Sequence, residues 1–262
     1  MKKITFLAFL IITGASMLSF GEEKIPEKLL SDFKSVDWPV VLKAKEDIEN
    51  METAGIPQLL SLLDDFTICK LKNTGDLIYP GAERFYGHGQ IVDYSIDEIA
   101  IRTAWLLEDI IFQNFGFTGI HLPEDELNGF IETNFFDYYD NSKNRQGLKR
   151  MTVPEKRDLI KSLSIKKAKS WLEQQSESLS RLDALVSALK SEDEKRQVKA
   201  LFYIRNGRTR CTGLTKAYYQ DNMETIVREL AKSDIKRVSE NAKLIIMDID
   251  FEWLDMKTKN PG

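Results

Sequence analysis

Between Ile235 and Met256 the apolar residues Ile235, Val238, Ala242, Ile245, Ile249, Trp253 and Met256 recur at intervals of 3, 4, 3, 4, 4 and 3. That is the period of one stripe on an α-helix, and a chain made of such segments buries its apolar atoms by packing helix on helix. Val41, Ala44, Ile48 and Met51 repeat the pattern, as do Ile96, Ile99, Leu106 and Ile110, then Leu179, Leu182, Val186 and Leu189. Val198, Leu201 and Phe202 begin the core face of another helix before Asn206-Gly207 breaks it, and two further helices are expected over 214–231 and 234–256. The last of these reads as one long bundle helix packing on its own domain rather than as half of a coiled coil. The fold class expected is therefore mainly α, an antiparallel helical bundle or a short α-solenoid. With 42% apolar residues in 262, the chain can fill one large or two modest cores. Only 7 Pro and 14 Gly exclude collagen-like and linker-like chains and disfavour a turn-dense sandwich.

Local punctuation sharpens one part of this. Asp37 can cap a helix that has Pro39 in its first turn, Gly55 supplies a stop, and Pro57 admits only the opening of a second helix through Leu59, Leu60, Leu62 and Leu63. The stretch from Asp37-Trp38-Pro39 to Leu63-Asp64-Asp65, with its Gly-Ile-Pro corner, resembles one unit of a HEAT-type helical repeat. No clean second copy follows about 40 residues on. The resemblance covers about 37–65, implies stacked helices and a protein-binding surface, and carries no catalytic residues.

Helical spacing lapses between Phe66 and Tyr94. Asn73-Thr74-Gly75-Asp76 and Tyr79-Pro80-Gly81 are turn signals, and Gly87-His88-Gly89 precedes one short extended piece, Ile91 to Tyr94. An irregular insertion this long in a helical protein marks a functional or packed loop, so Tyr86, His88 and Asp93 become candidate binding residues. After it, a helix is expected from about Ser95 to Phe115, ended by Gly116. Trp105, Phe112, Phe115 and Phe117, and then Phe130, Phe135, Phe136, Tyr138 and Tyr139, read as core, because aromatic side chains bury large areas.

The first 21 residues have the layout of a secretory leader: Lys2 and Lys3, an apolar run from Ile4 to Ile12, then Ser19-Phe20-Gly21 with small residues where a signal peptidase needs them. The mature chain is expected to begin at Glu22 and to be exported to the periplasm or beyond, without a membrane span. Export permits disulfides, yet Cys69 and Cys211 allow at most one bridge. Both states are open: a bridge closing so long a loop, worth about 4 to 5 kcal/mol, or two separate buried thiols.

Charge is segregated. Residues 22–140 hold 24 acids and 9 bases, net −15, whereas 141–262 hold 17 acids and 26 bases, net +9. Two outcomes follow from this split: the stretches attract each other internally, or the basic one faces an anionic partner. The polar run from Asp140 to Arg150 is the expected boundary between an acidic lobe (22–140) and a basic lobe (141–262).

Chemical motifs are sparse. With only two histidines, His88 and His121, multi-imidazole sites are out, and a mixed site of His88, Asp93, Asp97 and His121 matches no metal-ligand spacing. The sequence has no nucleophile elbow, no SxxK and no phosphate-binding glycine loop. No metal, cofactor or catalytic residue is expected. Glu108 stands out in Leu106-Leu107-Glu108-Asp109-Ile110 as a carboxylate against apolar surface, with a salt bridge to Arg84 or Arg102 as its expected fate. Arg205, Arg208 and Arg210 make a basic turn able to grip a carboxylate or phosphate. The functional expectation is an exported, non-catalytic interaction protein for a protein or envelope component, an anionic one included, with export arguing against nucleic acid. The alternative is a hydrolase using His88 and nearby carboxylates.

Overall fold

The computed structural model describes residues 24–85, 89–175 and 179–256, and these are mainly α-helical, as the periodicity requires. The segment expected to be a leader therefore lies outside the described residues. Helices α1 (Glu27–Phe33) and α2 (Trp38–Glu49) pack along each other and send Phe33, Trp38, Val41, Ala44 and Ile48 into the core. Helix α3 (Ile56–Leu62) lies instead against α4 (Ile99–Ile111). Asp37 precedes α2 as expected, but its carboxylate does not cap the helix. It accepts a bond from Asn73 Nδ2 at 2.7 Å and so tethers the long insertion.

That insertion contains two short extended pieces rather than one. Strands β1 (Leu77–Ile78) and β2 (Gln90–Ile91) pair in parallel, Leu77 opposite Gln90 and Ile78 opposite Ile91. They approach so closely that a Cβ on Gly89 would stand 2.2 Å from the Asp76 carbonyl oxygen, which explains glycine there. Two charged groups hold the loop. Asp97 accepts from the Leu71 N–H at 2.8 Å and the Tyr79 hydroxyl at 2.9 Å. Arg102, wholly buried on α4, donates to the carbonyls of Ile96 (2.9 Å), Phe33 and Ser35 (both 2.8 Å) and Cys69 (3.0 Å). Burial lowers its pKa to about 10, so it stays charged at neutral pH.

Helix α4 is buried along nearly its whole length and ends earlier than Gly116 suggests, at Phe112, which adopts left-handed backbone at φ 50°. The turn points Phe112 at Tyr203, with centroids 5.0 Å apart, and Phe115 at Trp171, 6.1 Å apart. A 3-10 turn, Phe117–His121, leads to α5 (Glu124–Asn134), α6 (Phe136–Asp140), α7 (Ser142–Leu148) and α8 (Val153–Gln174). Leu127, Ile131, Phe135, Leu148 and Ile160 make a small second cluster here, while the main core takes residues from both sides of position 140. The aromatic series is buried as expected from Trp105 to Phe117, but Phe136 is exposed.

The remaining elements are α9 (Arg181–Leu189), α10 (Glu194–Asn206), α11 (Lys216–Asn222), α12 (Glu224–Leu230), α13 (Lys236–Asp248) and α14 (Phe251–Met256). Both expected C-terminal helices are thus divided. In the last one, Ile249 is extended (ψ 122°), and the carbonyl of Asp250 accepts the Leu254 N–H to open α14. Aspartates prefer such entry positions to helix interiors, where the backbone competes for their side chains. The other divides beside Asn222, whose side-chain amide donates back to the Tyr218 carbonyl at 3.1 Å. Cys69 is half-buried, Cys211 is buried, and no disulfide joins them. No described helix is long and apolar enough to cross a membrane.

Replacing Arg102 by Met keeps the volume but strands four carbonyls without a donor. Urea unfolding is expected to show a loss of about 3 to 5 kcal/mol. A loss under about 1 kcal/mol would show that the loop, and not the guanidinium, organises those carbonyls.

Candidate functional site

Residues 89–94 arch beside α4 and α10 and leave a cleft of 520 Å³ between them. Its apolar wall comes from Ile91, Val92, Trp105, Val198 and Phe202. Ile91 and Phe202 are 73% and 58% exposed, more than an apolar side chain needs to be in a packed fold. A second depression of 340 Å³ adjoins it, and the two share Gln90, Asp109, Lys199 and Phe202 as common walls.

The floor between them is ionic. Asp109 on α4 meets Lys45 of α2 at 2.9 Å and Lys199 of α10 at 2.8 Å. Lys45 also pairs with Glu49 one turn along α2, and Arg181 of α9 approaches Glu49 at 3.7 Å. Glu108 lies 3.8 Å from Lys199, and its oxygens accept the Phe115 N–H at 2.7 Å and the Tyr94 hydroxyl at 2.9 Å. Aromatic rings shield the cations: Lys45 stands 4.4 Å over Trp105, and Arg181 stacks 4.8 Å from Tyr203 and 5.6 Å from Phe112. The attraction between acidic and basic stretches is thus realised inside the molecule, and Lys161 with Glu98 at 3.2 Å and Lys169 with Asp64 at 2.6 Å extend it.

Burial sets the proton affinities of this floor. It pushes the Asp109 carboxyl up, but the neighbouring Lys199 and Lys45 more than reverse that and hold it well below the usual carboxylate range. For Lys45 burial acts downward, and attraction to Asp109 and Glu49 leaves the ammonium raised. Lys199 is raised the same way by Asp109 and Glu108. Glu108 differs: burial dominates and raises its pKa despite Lys199 and two hydrogen bonds. Tyr94 is held protonated by its own burial and the nearby Glu108 charge, so it serves as a donor. At the cleft wall, the Thr118 hydroxyl is buried and has no hydrogen-bond partner among the described residues.

Glu108 does not meet Arg84 or Arg102 as the sequence suggests, because all the bonds described for Arg102 go to main-chain carbonyls and Arg84 is exposed. Tyr86 and His88 lie outside the described residues. Asp93 is exposed and lines the cleft. Asp97 is taken up by Leu71 and Tyr79, and His121 is exposed at the end of the 3-10 turn, where desolvation and the nearby Arg157 charge lower its pKa. Among the described residues, no group of three or more His, Cys, Asp or Glu side chains could hold a metal ion.

The basic turn does not converge on one point. Arg205 reaches only to 4.0 Å from Asp248, and Arg210 donates from Nε to Thr212 Oγ1 at 3.0 Å. The turn docks through its main chain, the Arg210 N–H donating to Asn50 Oδ1 at 2.7 Å, while Arg208 borders the smaller depression. Sequence reasoning passed over Lys45, Glu49, Arg181 and Lys199. A charged pair four apart beside the stripe of α2 was the one available signal for the first two.

No protein-family model, curated protein or solved structure matches this chain.

Asp109→Asn leaves Lys45 and Lys199 short of their shared counter-charge, and unfolding near neutral pH is expected to become easier by about 3 kcal/mol. Because the folded-state pKa of Asp109 lies below its unfolded value of about 3.9, its contribution is complete above that value and disappears as acid titrates the folded carboxylate. The gap between variant and wild type should therefore narrow between about pH 5 and pH 1, the range that spans both values. Denaturant titrations across that range test it, and a gap independent of pH would remove the charge as the cause.

Proposed function

We propose that this is an exported binding protein, without catalysis of its own, that holds a protein or envelope component in the cleft beside Phe202. The observation that carries this reading is the apolar wall, where Ile91 and Phe202 stay largely exposed in a concave surface. The leader-like first 21 residues support export, and the helical-repeat resemblance over 37–65 agrees with a protein-binding role.

A hydrolase is the second reading, and the raised pKa of Glu108 speaks for it, since a general acid needs a carboxyl that holds its proton. Both oxygens of Glu108 are, however, engaged by Phe115 and Tyr94, and Asp109 is clamped by two lysines. Groups committed in this way brace a site more readily than they transfer protons, which favours binding.

A photo-crosslinking phenylalanine analogue placed at position 202, and separately at the exposed Phe136, tests the location in cells that export the protein. Light-dependent adducts are expected from position 202 and not from 136. Absence of adducts at 202, or the same adducts from both, would rule out the cleft as the binding surface.

A further inference from the structure

The main chain of β2 is used on one side only. In the parallel ladder, Gln90 donates to the Asp76 carbonyl at 2.6 Å and Val92 to the Ile78 carbonyl at 2.8 Å. Alternation then turns the N–H and C=O of Ile91 away from β1, and among the described residues neither has a partner. The cleft runs along this second side: residues 89–94 line it, and no described residue of β1 does. An unpaired strand edge bordering an apolar cleft is a template for main-chain recognition.

The far wall adds positive charge, while the exposed Asp93 on the strand side of the cleft carries the opposite sign. Lys195 is exposed with no ion pair among the described residues, and Arg237 reaches Glu194 only at 4.0 Å. Within the cleft, Trp105 and Val198 offer apolar contact, and the unpartnered Thr118 hydroxyl lies beside them. An added strand points alternate side chains to opposite sides, so one set can meet the apolar wall while the other meets the basic rim.

We propose that the occupant of the cleft is an extended polypeptide segment, alternating apolar and acidic residues, which joins β2 as a third strand through the Ile91 main chain. This rests on the binding reading above and gives it a ligand class.

The probe is a fluorescent, end-blocked peptide Ser-Leu-Glu-Val-Glu-Leu-Ser, followed by anisotropy with the full chain. Two derivatives are N-methylated on alternate amides, one set in each register, and a third has Lys for both Glu. Saturable binding tighter than about 1 mM is expected for the parent. At least one methylated peptide should bind tenfold or more weakly, as should the Lys peptide. On the protein side, Ile91→Pro removes a donor that β1 does not use, and should weaken the parent at least tenfold. Ile91→Ala keeps the donor and should weaken it less.

Failure of the parent to bind, or equal binding by the parent and both methylated peptides, overturns strand addition. The methylated comparison needs no variant, so it stands even if Ile91→Pro does not fold. Equal binding of the Lys peptide overturns the acidic preference. Crosslinks at position 202 that persist through any of these failures would leave the cleft as a binding site for a different ligand class, whereas loss of both would end both proposals.

Discussion

Asp109 sits between Lys45 and Lys199, and the arrangement of the molecule depends on that three-group contact. Its members come from α2, α4 and α10, so one carboxylate joins helices from the acidic and the basic parts of the chain. A largely buried ion pair of this kind, with Lys45 buried and Asp109 and Lys199 partly so, adds little net stability compared with apolar packing, because the charges give up water. What it adds is discrimination. Any other docking of α10 on α4 would leave a buried charge without its counter-charge, and that error is costly in a low-dielectric interior.

The same contact explains why a cleft survives next to a packed core. Charged groups cannot be covered by apolar side chains without losing partners, so the floor at Asp109 and Lys199 stays at the boundary between core and solvent. The insertion arches past it, fixed at its base by Arg102 and Asp97, and supplies the opposite wall. A rigid guanidinium bonded to carbonyls of four residues takes the place of the apolar packing that a two-strand element is too small to provide.

Much of the helical content was legible because a 3.6-residue period is written locally. The stripes of α2 and α4 fall where the spacing puts them, and Asn206-Gly207 does end α10, but on α10 only Leu201 of the expected core face is fully buried, while Phe202 turns outward into the cleft. Breaks set by individual side chains were harder to see. The stripe from Ile235 to Met256 continues through Ile249 without a gap, yet the backbone turns there, because apolar spacing does not register where an aspartate opens a new helix. Phe112 hides its left-handed turn for a related reason: the groups that meet it, Tyr203, Arg181 and Arg196, lie far along the chain. At the site, Glu108 was visible as a carboxylate in apolar surroundings, but the partners inferred for it were wrong, since nearness in sequence says little about which cation a helix face meets.

The sequence by itself determined a helical chain with segregated charge, an irregular insertion at 66–94 and too few histidines or cysteines for a multi-imidazole or disulfide-framework site. Those properties depend on composition and on intervals of a few residues. Tertiary structure alone decided that Lys45 and Lys199 share Asp109, that Arg102 serves the insertion, and that β2 turns one unpaired edge toward a cleft. Each of these joins groups whose separation along the chain carries no periodic signal, and their energies arise only after folding has removed the water between them.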